Sequence, residues 1–175
     1  MRSGGGKNKG SSFERDICRK LTKFVTGSEK PEIFWRSASS GAKATQDAKS
    51  GVKGHMGGDI VSVQDSQGMW LTEKFSIECK SYADFFFDHL FTPGKGQIWK
   101  WWDQCRRDAD DANKRPMLIF KKNRSPIYVM LAQNSDLCYL VTHRNIPFMY
   151  MHGDGGDLYV YEFEKLFGEQ YNGQL

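Results

Sequence analysis

Between Gly57 and Lys80 the chain reads GGDIVSVQDSQGMWLTEKFSIECK. Two apolar, β-prone runs, IVSV and FSIEC, each carry a carboxylate. Asp59 heads the first, Glu78 lies inside the second, and Lys80 follows two residues later. On a strand, residues i and i+2 share a face, so Glu78 and Lys80 point one way and Ile77 and Cys79 the other. A sheet that buries such charges bears a cost unless they are paired or do chemistry. Gly57-Gly58 lets the backbone turn closely just before Asp59. If the two runs pair as neighbouring strands, Asp59 and Glu78 come within reach of one metal ion. Mg²⁺ takes hard oxygen ligands and keeps several waters, so two carboxylates suit it. A lysine beside that ion can position a water or stabilise charge on a phosphorane.

The rest of the chain supplies elements for a mixed sheet. GSSFERDICRKLTKFV (10–25) places Phe13, Ile17, Leu21 and Phe24 on one helical stripe, with Ser11 or Ser12 as N-cap. Glu14 would then lie in the first turn, where the helix dipole alone favours an acid. IFWRSAS (33–39) is β-compatible, and a polar, Gly-rich loop follows it. DIVSV (59–63) reads as a short strand, and MWLTEKFSIECKS holds another, best defined at Phe75–Lys80. GQIWKWWDQCRRDADDANK (96–114) reads as a helix with Ile98, Trp101, Trp102 and Cys105 on one face, ended by Pro116. Strands are expected at Met117–Phe120, Ile127–Ala132 and 137–143. DLYVYEFEKLFG mixes a strand with a closing helix or turn near Phe163–Phe167. Residues 1–9 read as a flexible basic arm, 10–175 as one domain, and 133–175 as an extension of uncertain role. The order is that of an α/β fold with a central mixed sheet flanked by helices.

Charge is unevenly spread. Residues 1–49 carry net +6, 50–94 net −3, 95–124 net +5 and 125–175 net −4. Two basic segments flanking an acidic one suit a polyanion whose phosphate must meet a metal ion, although a solvated mixed surface has the same composition. Cys18, Cys79, Cys105 and Cys138 are widely spaced, without a CxxC or Cys/His cluster, so zinc is not indicated and reduced thiols in a cytoplasm are expected. No apolar run is long enough for a membrane helix. His55, His89, His143 and His152 match no ligand set, and the tryptophans of WKWW at helical spacing read as core or dimer interface. HGDGGD (152–157) lacks EF-hand spacing and reads as a turn.

In combination these segments resemble the PD-(D/E)xK nuclease superfamily. GGDI supplies the aspartate, with Gly58 where the superfamily's name has a proline, and ECK supplies the Glu-x-Lys. Within it, the chain most resembles the archaeal-type Holliday junction resolvases and their phage relatives. The matching features are Gly10-Ser11-Ser12-Phe13-Glu14-Arg15, then RSASSG from Arg36 to Gly41, the Asp and ExK strands, and a helix bearing a glutamine, Gln97. The resemblance covers about residues 8–132 and implies a restriction-endonuclease-like core.

It also implies roles. Asp59, Glu78 and Glu14 would hold Mg²⁺ or Mn²⁺, Lys80 would be the catalytic lysine, Ser39 or Ser40 would lie near the scissile phosphate, and Gln97 would support the site from its helix. Arg36, Ser39, Lys43, Lys49, Lys53, Arg106 and Arg107 are candidates for DNA phosphates, which position a duplex without reading its sequence. The expected function is metal-dependent endonucleolytic cleavage of branched DNA, four-way junctions foremost, by a C2 homodimer making symmetric cuts. Two alternatives stay open: a restriction-type or repair nuclease of the same fold acting on duplex DNA, and a DNA-binding protein that does not use the site.

Overall fold

A computed structural model describes residues 5–37, 57–92, 94–133, 137, 146–153 and 156–168, with the side chains of 5–9 and 153 excepted. In chain order its elements are α1 (Gly5–Thr26), β1 (Phe34–Arg36), β2 (Ile60–Ser62), α2 (Met69–Lys74), β3 (Phe75–Tyr82), a 3-10 turn (Phe87–Phe91), α3 (Gln97–Asp111), β4 (Arg115–Lys122), β5 (Tyr128–Ala132), β6 (Phe148–Gly153), β7 (Gly156–Glu162) and α4 (Phe163–Phe167).

Among the described residues β3-β4-β5-β7-β6 form one sheet. Its first pair is parallel and the other pairs are antiparallel. A parallel pair needs a crossover, and α3 provides it. The mixed central sheet flanked by helices is a restriction-endonuclease-like architecture, as the α/β reading expects.

Side-chain alternation divides the interior in two. Ile77, Met117, Ile119, Val129 and Leu131 pack with Phe13, Ile17 and Leu21 of α1 and with Phe163 and Leu166 of α4. Leu118, Phe120, Met130 and Val160 pack on the other face against Ile98, Trp99, Trp101 and Trp102 of α3. The WKWW tryptophans are therefore core.

Several expectations need correction. Helix α1 begins at Gly5, so Ser11 and Ser12 lie inside it and Glu14 lies past its second turn, beyond the reach of the helix-dipole explanation. An apolar stripe marks where a helix packs, and elongation past that point adds one bond per residue. The MWLTEK segment, read with the strand after it, is the short helix α2, which buries Leu71 and Thr72. The Asp59 and Glu78 runs are not paired strands. β2 pairs antiparallel with β1 in a separate two-stranded ribbon, Phe34 facing Ser62, and just before it the chain meets β3 in the parallel bridge Gly58–Ile77. Pro116 lies within β4, and α3 ends before it, at Asp111. Strand β6 went unforeseen, and the segment 138–143 lies outside the described residues. The strands β6 and β7 of the former extension complete the main sheet.

Candidate active site

The site forms at the outer edge of β3. Paired residues of a parallel ladder share a face, and Glu78 and Lys80 pair with Leu118 and Phe120, so both project toward α3. Helix α1, with Glu14, packs on the opposite face. Asp59 approaches the edge between them. Its backbone N–H donates to Ile77 O at 2.7 Å, its carbonyl accepts from Ser37 N at 2.8 Å, and its Oδ2 accepts from Cys79 N at 2.9 Å. The carboxylate thus stands in for the missing neighbour strand.

This approach depends on the glycines. Gly58 has φ +96°, and a Cβ there would lie 2.5 Å from Ile77 N and 2.6 Å from Ile77 O. Proline, fixed near φ −65°, cannot adopt this geometry. A Cβ on Gly57 would meet Ala112 Cβ at 2.7 Å and Asp108 O at 2.9 Å. The chain is threaded between β3 and the end of α3, and only Gly-Gly fits.

Charge is concentrated and desolvated. Glu78 is 5% exposed. Burial, then the charge of Glu78, pushes the Asp59 carboxyl up to about 7 from an ordinary 3.8, and Glu14 adds to the push. Burial also raises Glu78, against the opposing pull of Lys80. Burial works to lower Lys80, but the Glu78 carboxylate outweighs it and the amine is held above its usual range as a cation. Lys80 Nζ donates to Glu78 Oε1. Arg36 Nε donates to Glu14 Oε2.

Of the two glutamines of α3, it is Gln104 and not the expected Gln97 that touches Glu78. Gln97 is exposed in the first turn of α3. Gln104, two turns further on, donates from Nε2 to Glu78 Oε1 at 3.2 Å and lies 3.5 Å from Asp108 Oδ2. Asp108, also not foreseen, contributes charge that raises Glu78. Helical phase puts both glutamines on one face, since seven residues return to the same side, but it does not say which of the two reaches β3. Arg106 and Arg107 lie on α3, the second exposed. Ser39, Ser40, Lys43, Lys49, Lys53 and His55 lie outside the described residues.

The donor chemistry suits a hard divalent cation. Asp59 and Glu78 present desolvated carboxylate oxygens that repel one another, and a bound cation relieves that repulsion. Among the described residues no three Asp, Glu, His or Cys side chains converge as a ready ligand set. Glu14 is held by Arg36 and Asp108 neighbours Gln104. A hard divalent cation takes one or two carboxylates and completes its shell with water.

The thiols of Cys18, Cys79 and Cys105 are free and buried. No described helix is long and apolar enough to cross a membrane.

Residues 5–171 match the family described as "Phage putative PDDEXK endonuclease". Over 59 residues the chain is 39% identical to "Protein D14" of Escherichia phage T5, a stretch covering 33% of this chain and 37% of that protein. The chain therefore spans little more than a third of the length of this curated relative. No solved structure matches.

Proposed function

The chain belongs to the phage PDDEXK endonuclease family, and from that premise we propose that it cuts DNA phosphodiester bonds with a divalent metal, four-way junctions being its substrate. The observation that carries the nuclease reading is the Asp59–Glu78–Lys80 arrangement: two desolvated carboxylates at one strand edge, with an ammonium held against one of them. The junction preference rests on the resolvase-like combination of the GSSFER helix, the RSASSG segment and the two acidic strands.

Asp59 and Glu78 would hold Mg²⁺ or Mn²⁺, which when bound acidifies a water and neutralises charge on the scissile phosphate. The protein's own groups do the rest. Cys79 N–H holds one oxygen of Asp59, which leaves the other for the ion. Gln104 and Lys80 share one oxygen of Glu78, which leaves the second for the ion. Lys80, positively charged and 19% exposed, is placed to orient the attacking water or to stabilise the additional charge of the pentacoordinate phosphate. Glu14 and the Arg36 paired with it form the wall on the α1 side, and the guanidinium would draw a DNA phosphate toward the site. Symmetric cutting of a junction calls for two such sites in a C2 dimer.

The test is cleavage of a labelled immobile four-way junction beside a matched linear duplex, with and without Mg²⁺. Asp59→Asn and Lys80→Ala serve as controls. Paired nicks confined to the junction, lost in both variants and without metal, are expected. Equal cutting of the duplex removes the junction preference and keeps the nuclease. No cutting of either DNA removes the nuclease reading.

A further inference from the structure

Along α1, next to Arg36, lies a cavity of about 470 Å³ whose other lining residues take no part in the nuclease chemistry proposed above. Ser12, Arg15, Cys18 and Arg19 line it from α1, and Glu32, Phe34, Trp35 and Arg36 line it from the β1 side. Its volume falls in the range of roughly 300–1,000 Å³ typical of sites for small organic groups.

Two features of this cavity are unusual. Trp35 is 51% exposed, while Phe34 beside it is buried. Strand alternation explains the difference, but nothing in packing requires an indole at the outward position. Ser12, Arg15 and Arg19 fall at i, i+3 and i+7, one stripe of the helix, opposite the Phe13–Ile17–Leu21 stripe that enters the core. Arg19 also pairs with Asp16 at 3.3 Å on the exposed surface, a contact of the kind contributing little. Glu32 is the acid in the lining, against three arginines. An aromatic face open to solvent, with guanidinium groups beside it, matches how single-stranded nucleic acids are held: the base stacks and the phosphates are neutralised.

Position connects the cavity to the site. Arg36 lines it while donating to Glu14, whose charge acts on Asp59 and Glu78, so a strand seated there would lie near the acidic site.

We propose that this cavity receives an unpaired nucleotide of the DNA substrate, its base stacked on Trp35 and its flanking phosphates on Arg15 and Arg19. The inference deepens the nuclease reading and rests on it: a base unpaired at the branch point of the junction, close to the bond that is cut, would occupy the cavity. A free mononucleotide offers the same base and phosphate, so the test separates the two sources.

The experiment measures binding by fluorescence anisotropy in EDTA, which leaves the DNA intact. The probes are oligo(dT), a duplex with one unpaired thymidine, a fully paired duplex of the same sequence, and dTMP as competitor. Trp35→Ala is expected to weaken oligo(dT) and bulged-duplex binding by about 5- to 100-fold, as removal of a stacking aromatic does. Paired-duplex binding stays unchanged, and Trp35→Phe recovers most of the loss. Arg15→Ala with Arg19→Ala weakens the same two DNAs and flattens their salt dependence. Oligo(dT) also quenches indole emission more in wild type than in Trp35→Phe, since Trp99, Trp101 and Trp102 are buried and Trp70 is partly buried.

Equal binding of all DNAs by Trp35→Ala and wild type overturns the proposal, as does equal loss on all three. If dTMP competes as well as oligo(dT), the occupant is a free nucleotide and the strand assignment is overturned. Mg²⁺-dependent cleavage by wild type, measured alongside, reports separately on the nuclease reading: it survives a failed Trp35 result, and its absence would show the nuclease reading itself to be wrong.

Discussion

At one edge of the sheet, β3 buries Ser76 and Glu78, and a carboxylate takes the place of a neighbouring strand. At the other edge, β6 and β7 carry an aromatic ladder. Phe148 faces Tyr161 and Tyr150 faces Tyr159, with ring centroids 5.9 and 5.5 Å apart. Cross-strand aromatic pairs of this kind stabilise a sheet by about 0.5–1.5 kcal/mol each beyond the area they bury. The β3 edge instead holds like charges in a desolvated place, which destabilises the fold unless a cation intervenes. One sheet therefore combines an edge where charges are held desolvated and an edge held together by aromatic pairs.

Substitutions at the two ends should behave in opposite ways. Gly58→Ala has the largest expected effect. A side chain at φ +96° with Cβ 2.5 Å from Ile77 N should cost about 3 kcal/mol in urea unfolding and displace Asp59 enough to abolish cleavage. A stable, active Gly58→Ala would show that the close approach at this edge is not needed. Gln104→Ala should lower cleavage about tenfold with stability nearly unchanged, since supporting partners of metal-binding carboxylates act on that scale. Gln97→Ala, measured in parallel, should do nothing. The reverse result would return the supporting role to the first turn of α3.

Asp59→Asn sharpens the contrast most directly, because it should abolish cleavage and raise the melting temperature of metal-free protein by a few degrees. The sign follows from the raised carboxyl. With a folded value of about 7 against an ordinary 3.8, the native state keeps a proton that the unfolded chain has released. The stability linked to that proton is fully present below about pH 4 and is lost as pH rises through 7. The gap between Asp59→Asn and wild type should therefore widen from pH 4 to pH 7 and level off above. Mg²⁺ should raise the melting temperature of wild type and leave that of the variant unmoved. At the opposite edge, Phe148→Ala should cost about 1 kcal/mol and leave cleavage untouched. A loss of activity there would mean that the two ends are coupled.

Much of the active edge was legible because its signals are short-range. Glu78 and Lys80 share a face by strand period, and Gly57-Gly58 before Asp59 announces a close approach whatever the strand pairing turns out to be. The face of α3 was legible for the same reason, since Ile98, Trp101, Trp102 and Cys105 repeat at helical spacing. What escaped depends on partners distant in sequence. MWLTEK is too short for periodicity to separate helix from strand. FMYMHG is apolar on both faces as written, and only its pairing with β7 makes it a strand. The choice of Gln104 over Gln97 depends on how far along α3 the side chain of Glu78 lies, and nothing local records that distance.

The position of β3 at the outside of the sheet has a practical consequence for anyone handling the protein at high concentration. An uncovered strand edge is a template for association with other chains. Asp59 covers this one, its main chain meeting Ile77 O and its carboxylate meeting Cys79 N–H. Alanine at this position would uncap Cys79 N–H and open the edge, so an inert form made that way would be prone to self-association. Asparagine keeps an acceptor for that N–H while removing the charge, which makes Asp59→Asn the better form for trapping uncut DNA.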